Sequence, residues 1–439
     1  MRLLLAIALL AAAPDTTPRV RGRELGEGTR VRDQLDQRPV APLFSFAVPA
    51  PGYKGYAASY AGLPATDGCY PAASVTGTKG EALTFTRATT RFCPTSANEA
   101  TGVMCASGEV CITSSGTTRG ISIFRAGTNL VLRSEEFDNA AWTKEAGGKN
   151  PTVTADHALG PDGVMGAERV QLQATGTNEY SDFYQLYSAG TGSATTCSLW
   201  VKGNGTSGTT DLCIYDGGAA WACTPVAFTP TWKLFSLSDA AGTGTSRGVK
   251  FGNASGQNGG TARDAADVHA TGFMCSESPY ATPYVATTSA SATRNAELVT
   301  FPIAWDGGNL ISTAFTSVTR GASALIASQG GLALNSSFPS GGPAFLSYYT
   351  SGAVWRTFTT ATDRAAVAPA DAASVRVANG CDGTNSFSIW GGASTTNGTN
   401  CDAIPNTSDT LAVGWFTTNT QLDGLISSVC IDPSSTRCR

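Results

Sequence analysis

Charge is scarce in this sequence, and histidine scarcer. Only 14% of the 439 residues are Asp, Glu, Lys or Arg, and 29 basic against 33 acidic residues leave a formal net charge of -4. No basic stripe with interleaved aromatics occurs, which argues against nucleic acid as a partner. The chain has 2 histidines, His157 and His269, and no C-x-x-C pair, so the ligand spacing of a zinc site is missing. Sustained helical periodicity is missing too. Apolar residues make up 41% of the chain, too many for a disordered acidic polymer.

What is present points to β structure. Fifty glycines and runs of Thr, Ser and Ala separate short apolar segments, the pattern of sandwiches and barrels. A chain of 439 residues outgrows one hydrophobic core, so two or three domains are expected.

The N-terminus has the layout of a secretory signal peptide over residues 1–13. Met1-Arg2 supplies the basic start, Leu3 to Leu10 the apolar run, and Ala11-Ala12-Ala13 the small residues, with cleavage expected after Ala12. The run is too short to remain as a membrane span in the mature chain. An apolar start to a protein that is never exported stays open. Twelve cysteines support export. They fall in three groups of four: Cys69, Cys93, Cys105, Cys111; Cys197, Cys213, Cys223, Cys275; and Cys381, Cys401, Cys430, Cys438. Even groups suit disulfides closed within each block, in an oxidising compartment, with three pairings open in each.

A charged linker follows over 14–42, then a small disulfide-rich β region over 43–127, containing runs such as Leu83-Thr84-Phe85-Thr86 and Ile121-Ser122-Ile123. From Asn129 to Trp142 the chain reads NLVLRSEEFDNAAW. This segment resembles the opening of a jelly-roll module of bacteriophage head-spike and tail proteins that also occurs in bacterial surface proteins. Pro161-Asp162-Gly163, the run Cys197 to Lys202, the run from Trp232, and Ala281 to Val285 followed by Ala292-Thr293-Arg294 come in that module's order. The resemblance implies a carbohydrate-binding-like jelly roll over 128–295, with Trp142, Trp200 and Trp232 in its framework. Residues 296–439 end in Thr410 to Phe416 and Gln421 to Cys430, with an Asp423-Gly424 turn, and are similar to the closing strands of concanavalin A-like, laminin-G-type sandwiches. Whether residues 43–127 complete that sandwich across the inserted module is open at this point. The expected class is therefore all-β: a jelly-roll sandwich plus a concanavalin A-like sandwich, with a small disulfide-rich N-terminal region.

The most informative local feature is Leu212 to Cys223. A hairpin centred on Gly218 puts Cys213 opposite Cys223 and Tyr215 opposite Trp221, all on one face, with Leu212, Ile214 and Ala222 on the other. If the Leu/Ile face is the core, Tyr215 and Trp221 form an outward platform on which sugar rings can stack, with Asp216 as a hydroxyl acceptor. If the aromatic face is the core, the pair is packing. Trp390, ahead of Gly391-Gly392, is a second candidate ligand contact at a loop edge.

Catalytic signals are weak. Gly244-Thr245-Ser246-Arg247-Gly248 satisfies G-x-S-x-G, with Asp264 or Asp267 and His269 downstream, but no helix follows to make the elbow. His157 and His269 read as isolated residues. No carboxylate pair stands out for glycoside hydrolysis. No cofactor is expected; calcium at Asp216-Gly217-Gly218, Asp306-Gly307-Gly308 or Asp382-Gly383 has no supporting carboxylate spacing.

These readings favour a non-catalytic glycan-binding protein at a cell or virion surface, with a polysaccharide or glycoconjugate as partner. A structural or attachment subunit that contacts itself or other surface proteins is the alternative. A secreted glycan-cleaving enzyme with unidentified carboxylates is the third. The signal segment and the cysteines favour a secreted bacterial product over a virion protein.

Overall fold

The computed structural model describes residues 65–75, 84–95, 99–115, 118–146, 149–173, 180–218, 220–239, 242–253 and 263–302; beyond these it describes the backbone of strands between 310 and 432. The signal segment, the charged linker, Cys401, Cys438 and the Asp306 and Asp382 turns lie outside the described residues. All-β structure is what forms. Among the described residues helical backbone is confined to short 3-10 turns such as Ala72–Ser74.

The centre of the chain is a two-sheet jelly roll. Its strands are β1 (Thr143–Ala146), β2 (Thr152–Leu159), β3 (Met165–Leu172), β4 (Ser181–Ser188), β5 (Thr195–Gly203), β6 (Gly208–Tyr215), β7 (Trp221–Phe228), β8 (Lys233–Asp239), β9 (Ser246–Asn253) and β10 (Ala266–Ser276). One sheet runs β8-β5-β10-β3-β2 and the other β7-β6-β9-β4-β1. Period-two alternation builds the core between them. Val170, Leu172, Leu199, Val201, Val268 and Ala270 of the first sheet meet Phe183, Leu212, Ile214, Val249 and Phe251 of the second.

The Asn129-to-Trp142 segment seals one end of this core. Asn129 is fully buried; its Nδ2 donates to the carbonyls of Phe273 (2.9 Å) and Val285 (2.8 Å), and its Oδ1 accepts from the Cys275 amide (3.1 Å). Each polar atom of the amide is thus satisfied without water. Phe137 stacks on Phe183 at 5.1 Å, and Trp142 packs edge-on to both. Trp142, Trp200 and Trp232 are buried, as the framework reading expects.

The module's two ends meet. Gly127–Asn129 pairs with Ala292–Arg294, so the chain enters and leaves on one short ladder. Strands on either side of this insertion then pair with each other. Thr84–Thr86 lies beside Leu298–Pro302 in a seven-stranded sheet, and Thr118–Ile123 lies beside Asp423–Asp432 in an eight-stranded one. The question left open by the sequence is decided by this topology: the region before the module supplies strands to both sheets of the sandwich that follows it. Disulfide Cys69–Cys105 joins strands Gly68–Pro71 and Gly102–Cys105, Cys93–Cys111 joins Arg91–Pro94 and Glu109–Ser115, and Cys197–Cys275 links β5 to β10.

Candidate functional site

Strands β6 and β7 form the hairpin expected around Gly218. Cys213 lies opposite Cys223 and is disulfide-bonded to it, and Tyr215 lies opposite Trp221. The turn has its own chemistry. Asp216 Oδ1 accepts the Gly218 amide at 2.7 Å, and Gly217 takes the left-handed conformation (φ 88°) that a Cβ disfavours. The Tyr215 hydroxyl donates to the Gly218 carbonyl at 2.7 Å. Asp216 Oδ2 lies 3.5 Å from the Thr243 hydroxyl, so the carboxylate first serves the turn.

Leu212 and Ile214 sit in the core, which decides between the two readings of the faces. Tyr215 and Trp221 are on the outer face of the sheet, half-buried. Neighbouring strands add to them. Tyr215 is opposite Gly248, and Gly248 is opposite Leu186; one row along, Cys213 is opposite Lys250, and Lys250 is opposite Tyr184. Tyr184, Lys250 and Leu186 therefore share the face with the platform. The ring of Trp221 lies 5.5 Å from Tyr215 and 6.0 Å from Tyr184. Lys250 Nζ stands 4.9 Å from the Trp221 ring centre and 5.5 Å from that of Tyr184.

A polar row borders the aromatics. Lys250 Nζ binds Glu145 at 2.7 Å and stands 3.5 Å from Asp182, whose two carboxylate oxygens accept no hydrogen bond. Burial pushes the Asp182 carboxyl up to about 7, with Lys250 opposing and Glu145 reinforcing the shift. Arg263 holds Asp211 one strand away, at 2.8 and 3.0 Å. The face thus offers three half-buried aromatic rings and the part-exposed Glu145 carboxylate, which the buried Lys250 ammonium holds in place. Such a set can hold apolar ring faces and hydroxyls together.

Sequence reasoning missed Tyr184, Lys250, Asp182 and Glu145. The alternation Asp182-Tyr184-Leu186 against Phe183-Gln185-Tyr187 was the available signal, and it says nothing about which hairpin lies beside it. Trp390 ends strand Ser386–Trp390 in the eight-stranded sheet, apart from Tyr215 and Trp221; its side chain lies outside the described residues. Ser246 begins β9 in extended backbone, paired with Ser188. The reading of the histidines as isolated is overturned: His157 Nδ1 and His269 Nε2 are 3.0 Å apart, on the first sheet.

No helix among the described residues is long and apolar enough to cross a membrane. No family model matches the chain, and no curated protein does. Solved structures are similar in outline. The enzymatically active domain of bacteriophage CBA120 tailspike protein 4 is 17% identical, covering 34% of this chain and 21% of its own, with a TM-score of 0.26. The CBM22-1-CBM22-2 tandem domain of Paenibacillus barcinonensis Xyn10C is 12% identical, covering 71% and 99%, with a TM-score of 0.26. Mouse laminin alpha1 domains LG4-5 are 13% identical, covering 64% and 89%, with a TM-score of 0.19.

Proposed function

We propose that the chain is an exported, non-catalytic glycan-binding protein that holds sugar rings against Trp221, Tyr215 and Tyr184. One observation carries this reading: the hairpin's aliphatic face is in the core, which leaves its aromatic face turned outward and stapled by Cys213–Cys223. Sugar C–H faces stack on such rings, while the part-exposed Glu145 carboxylate, held by Lys250, meets hydroxyls at the border. Binding at one such face is weak, and display in several copies strengthens it.

Affinity electrophoresis through gels cast with soluble polysaccharides, and a glycan array, test the proposal. The unaltered chain is retarded by at least one glycan, and Trp221→Ala loses affinity by about tenfold with an unchanged melting temperature. Absence of binding to every glycan sinks it, and release of reducing sugar ends its non-catalytic part.

A second reading has its own support. Leu159, Val164 and Met165 are each more than half exposed on the β2–β3 hairpin, and the Gly102 amide donates to Pro161 there, bringing the exposed Val103 and Met104 alongside. An apolar knuckle of this kind suits contact with another protein subunit. Light scattering tests it: a strict monomer at all concentrations rules out self-association through this tip.

A further inference from the structure

The chain's two histidines are 112 residues apart, and the fold brings them into contact. The rings stack with centroids 5.1 Å apart, and His157 Nδ1 faces His269 Nε2 at 3.0 Å. Both stand on the outer face of the sheet opposite to the aromatic platform, since Val268 and Ala270, the neighbours of His269, point into the core.

The backbone is bent to make this contact. Strand β2 and strand β3 pair with two register shifts between Met165 and Arg169, and Asp156, just before His157, is left-handed at φ 48°. A bulge re-aims the side chain next to it, and an αL residue other than glycine carries a cost that the surrounding structure has to hold in place. Here the re-aimed side chain is His157. It is exposed, whereas His269 is buried, with its Nδ1 enclosed and without a hydrogen-bond partner. Nε2, which faces Nδ1 of the exposed His157, is therefore the His269 nitrogen placed to share a ligand with it.

We propose that His157 Nδ1 and His269 Nε2 form a binding site for a divalent first-row transition ion, Cu2+ or Ni2+ by its geometry, with water completing the coordination. At metal–nitrogen distances of about 2.0–2.1 Å, nitrogens 3.0 Å apart subtend about 94° at the ion. That is the cis angle of a tetragonal or octahedral centre, which Cu2+ and Ni2+ accept. A tetrahedral Zn2+ needs the nitrogens about 3.3 Å apart and asks the pair to open. The two nearby cations each have another partner. Arg169, opposite His269 on β3, is held by Asp267 at 2.9 and 2.5 Å. Lys202, opposite it on β5, lies with Nζ 4.7 Å from the Trp232 ring centre.

The test is titration of the full, disulfide-intact chain with Cu2+, followed by electron paramagnetic resonance. One ion per chain with two imidazole nitrogens in its hyperfine pattern is the expected result. His157→Gln, at an exposed position, keeps the melting temperature and loses that signal, with affinity falling by about tenfold or more. His269→Gln serves as the second variant. Copper bound with equal affinity by His157→Gln, a spectrum without imidazole nitrogens, or no binding by the unaltered chain overturns the proposal and leaves a hydrogen-bonded histidine pair.

Discussion

A Cβ at Gly248 would stand 2.8 Å from Cη2 of Trp221, because the indole lies across the strand in the space that glycine leaves. Leu186 Cδ2 bounds the same space at 2.8 Å. The platform thus depends on a missing side chain two strands from the tryptophan. Gly248→Ala is expected to tilt the Trp221 ring, weaken glycan retardation, and cost about 1–3 kcal/mol of stability by overpacking. Denaturant titration beside affinity electrophoresis checks both, and unchanged binding in this variant means that ring position does not matter.

The two disulfides of the jelly roll are expected to differ in worth. Cys197–Cys275 closes a span of 78 residues and Cys213–Cys223 a span of 10. Loop-closure entropy of the unfolded chain gives ~4.5 kcal/mol for the long loop and ~2.7 kcal/mol for the short one. Paired Cys→Ser replacements, measured by urea unfolding, should therefore rank Cys197/Cys275 as the larger loss. The glycan affinity should rank them the other way, since only the short disulfide adjoins Tyr215 and Trp221. If both assays give the same order, the short disulfide is no staple of the platform.

That hairpin was legible in the sequence because its partners are symmetric about Gly218 within twelve residues. The face it turns to the core was not, since Leu212 and Ile214 find Val249 and Phe251 only through β9. Tyr184 and Lys250 escaped for the same reason: cross-strand register between distant segments leaves no local trace. His157 is a sharper case. Its bulge changes the residue count between β2 and β3, so strict alternation could not have aimed it at His269. The pairing of Ile123 with Gly424 spans a whole inserted module. Only the resemblance of the flanking segments to sandwich strands hinted at it.

Asp182 makes stability depend on pH in a stated direction. Its folded pKa is about 7, against about 3.9 for an unfolded aspartate. Between those values the folded chain keeps a proton that the unfolded chain has lost, so stability falls as pH rises through the window and levels off above it. Glu168, pushed up to about 8 by burial and then by Asp138, acts in the same sense. Asp182→Asn removes the Asp182 contribution. Its urea midpoint should fall less steeply than that of the unaltered chain from about pH 4 to pH 7. Parallel curves for the two proteins would show that Asp182 does not hold its proton in the folded state.

Glu297 ties the segments on either side of the inserted module. Its Oε1 accepts from Arg87 at 2.9 Å and its Oε2 from Arg91 at 2.6 Å and from the Phe124 amide at 2.9 Å, while Arg294 stands 3.9 Å away. All four charged side chains are fully buried. Burial alone would raise the carboxyl's pKa, but Arg91, Arg294 and Arg87 outweigh it and hold Glu297 below the ordinary carboxylate value. Glu297→Gln removes the carboxylate charge that three buried guanidinium groups share and should cost about 3–5 kcal/mol. Glu136→Gln breaks a pair with Arg133 whose side chains are 32% and 43% exposed, and should cost about 0.5 kcal/mol or less. Chemical denaturation of the two variants side by side separates the cases. Equal losses would mean that the buried cluster does not join the strands before the module to those after it.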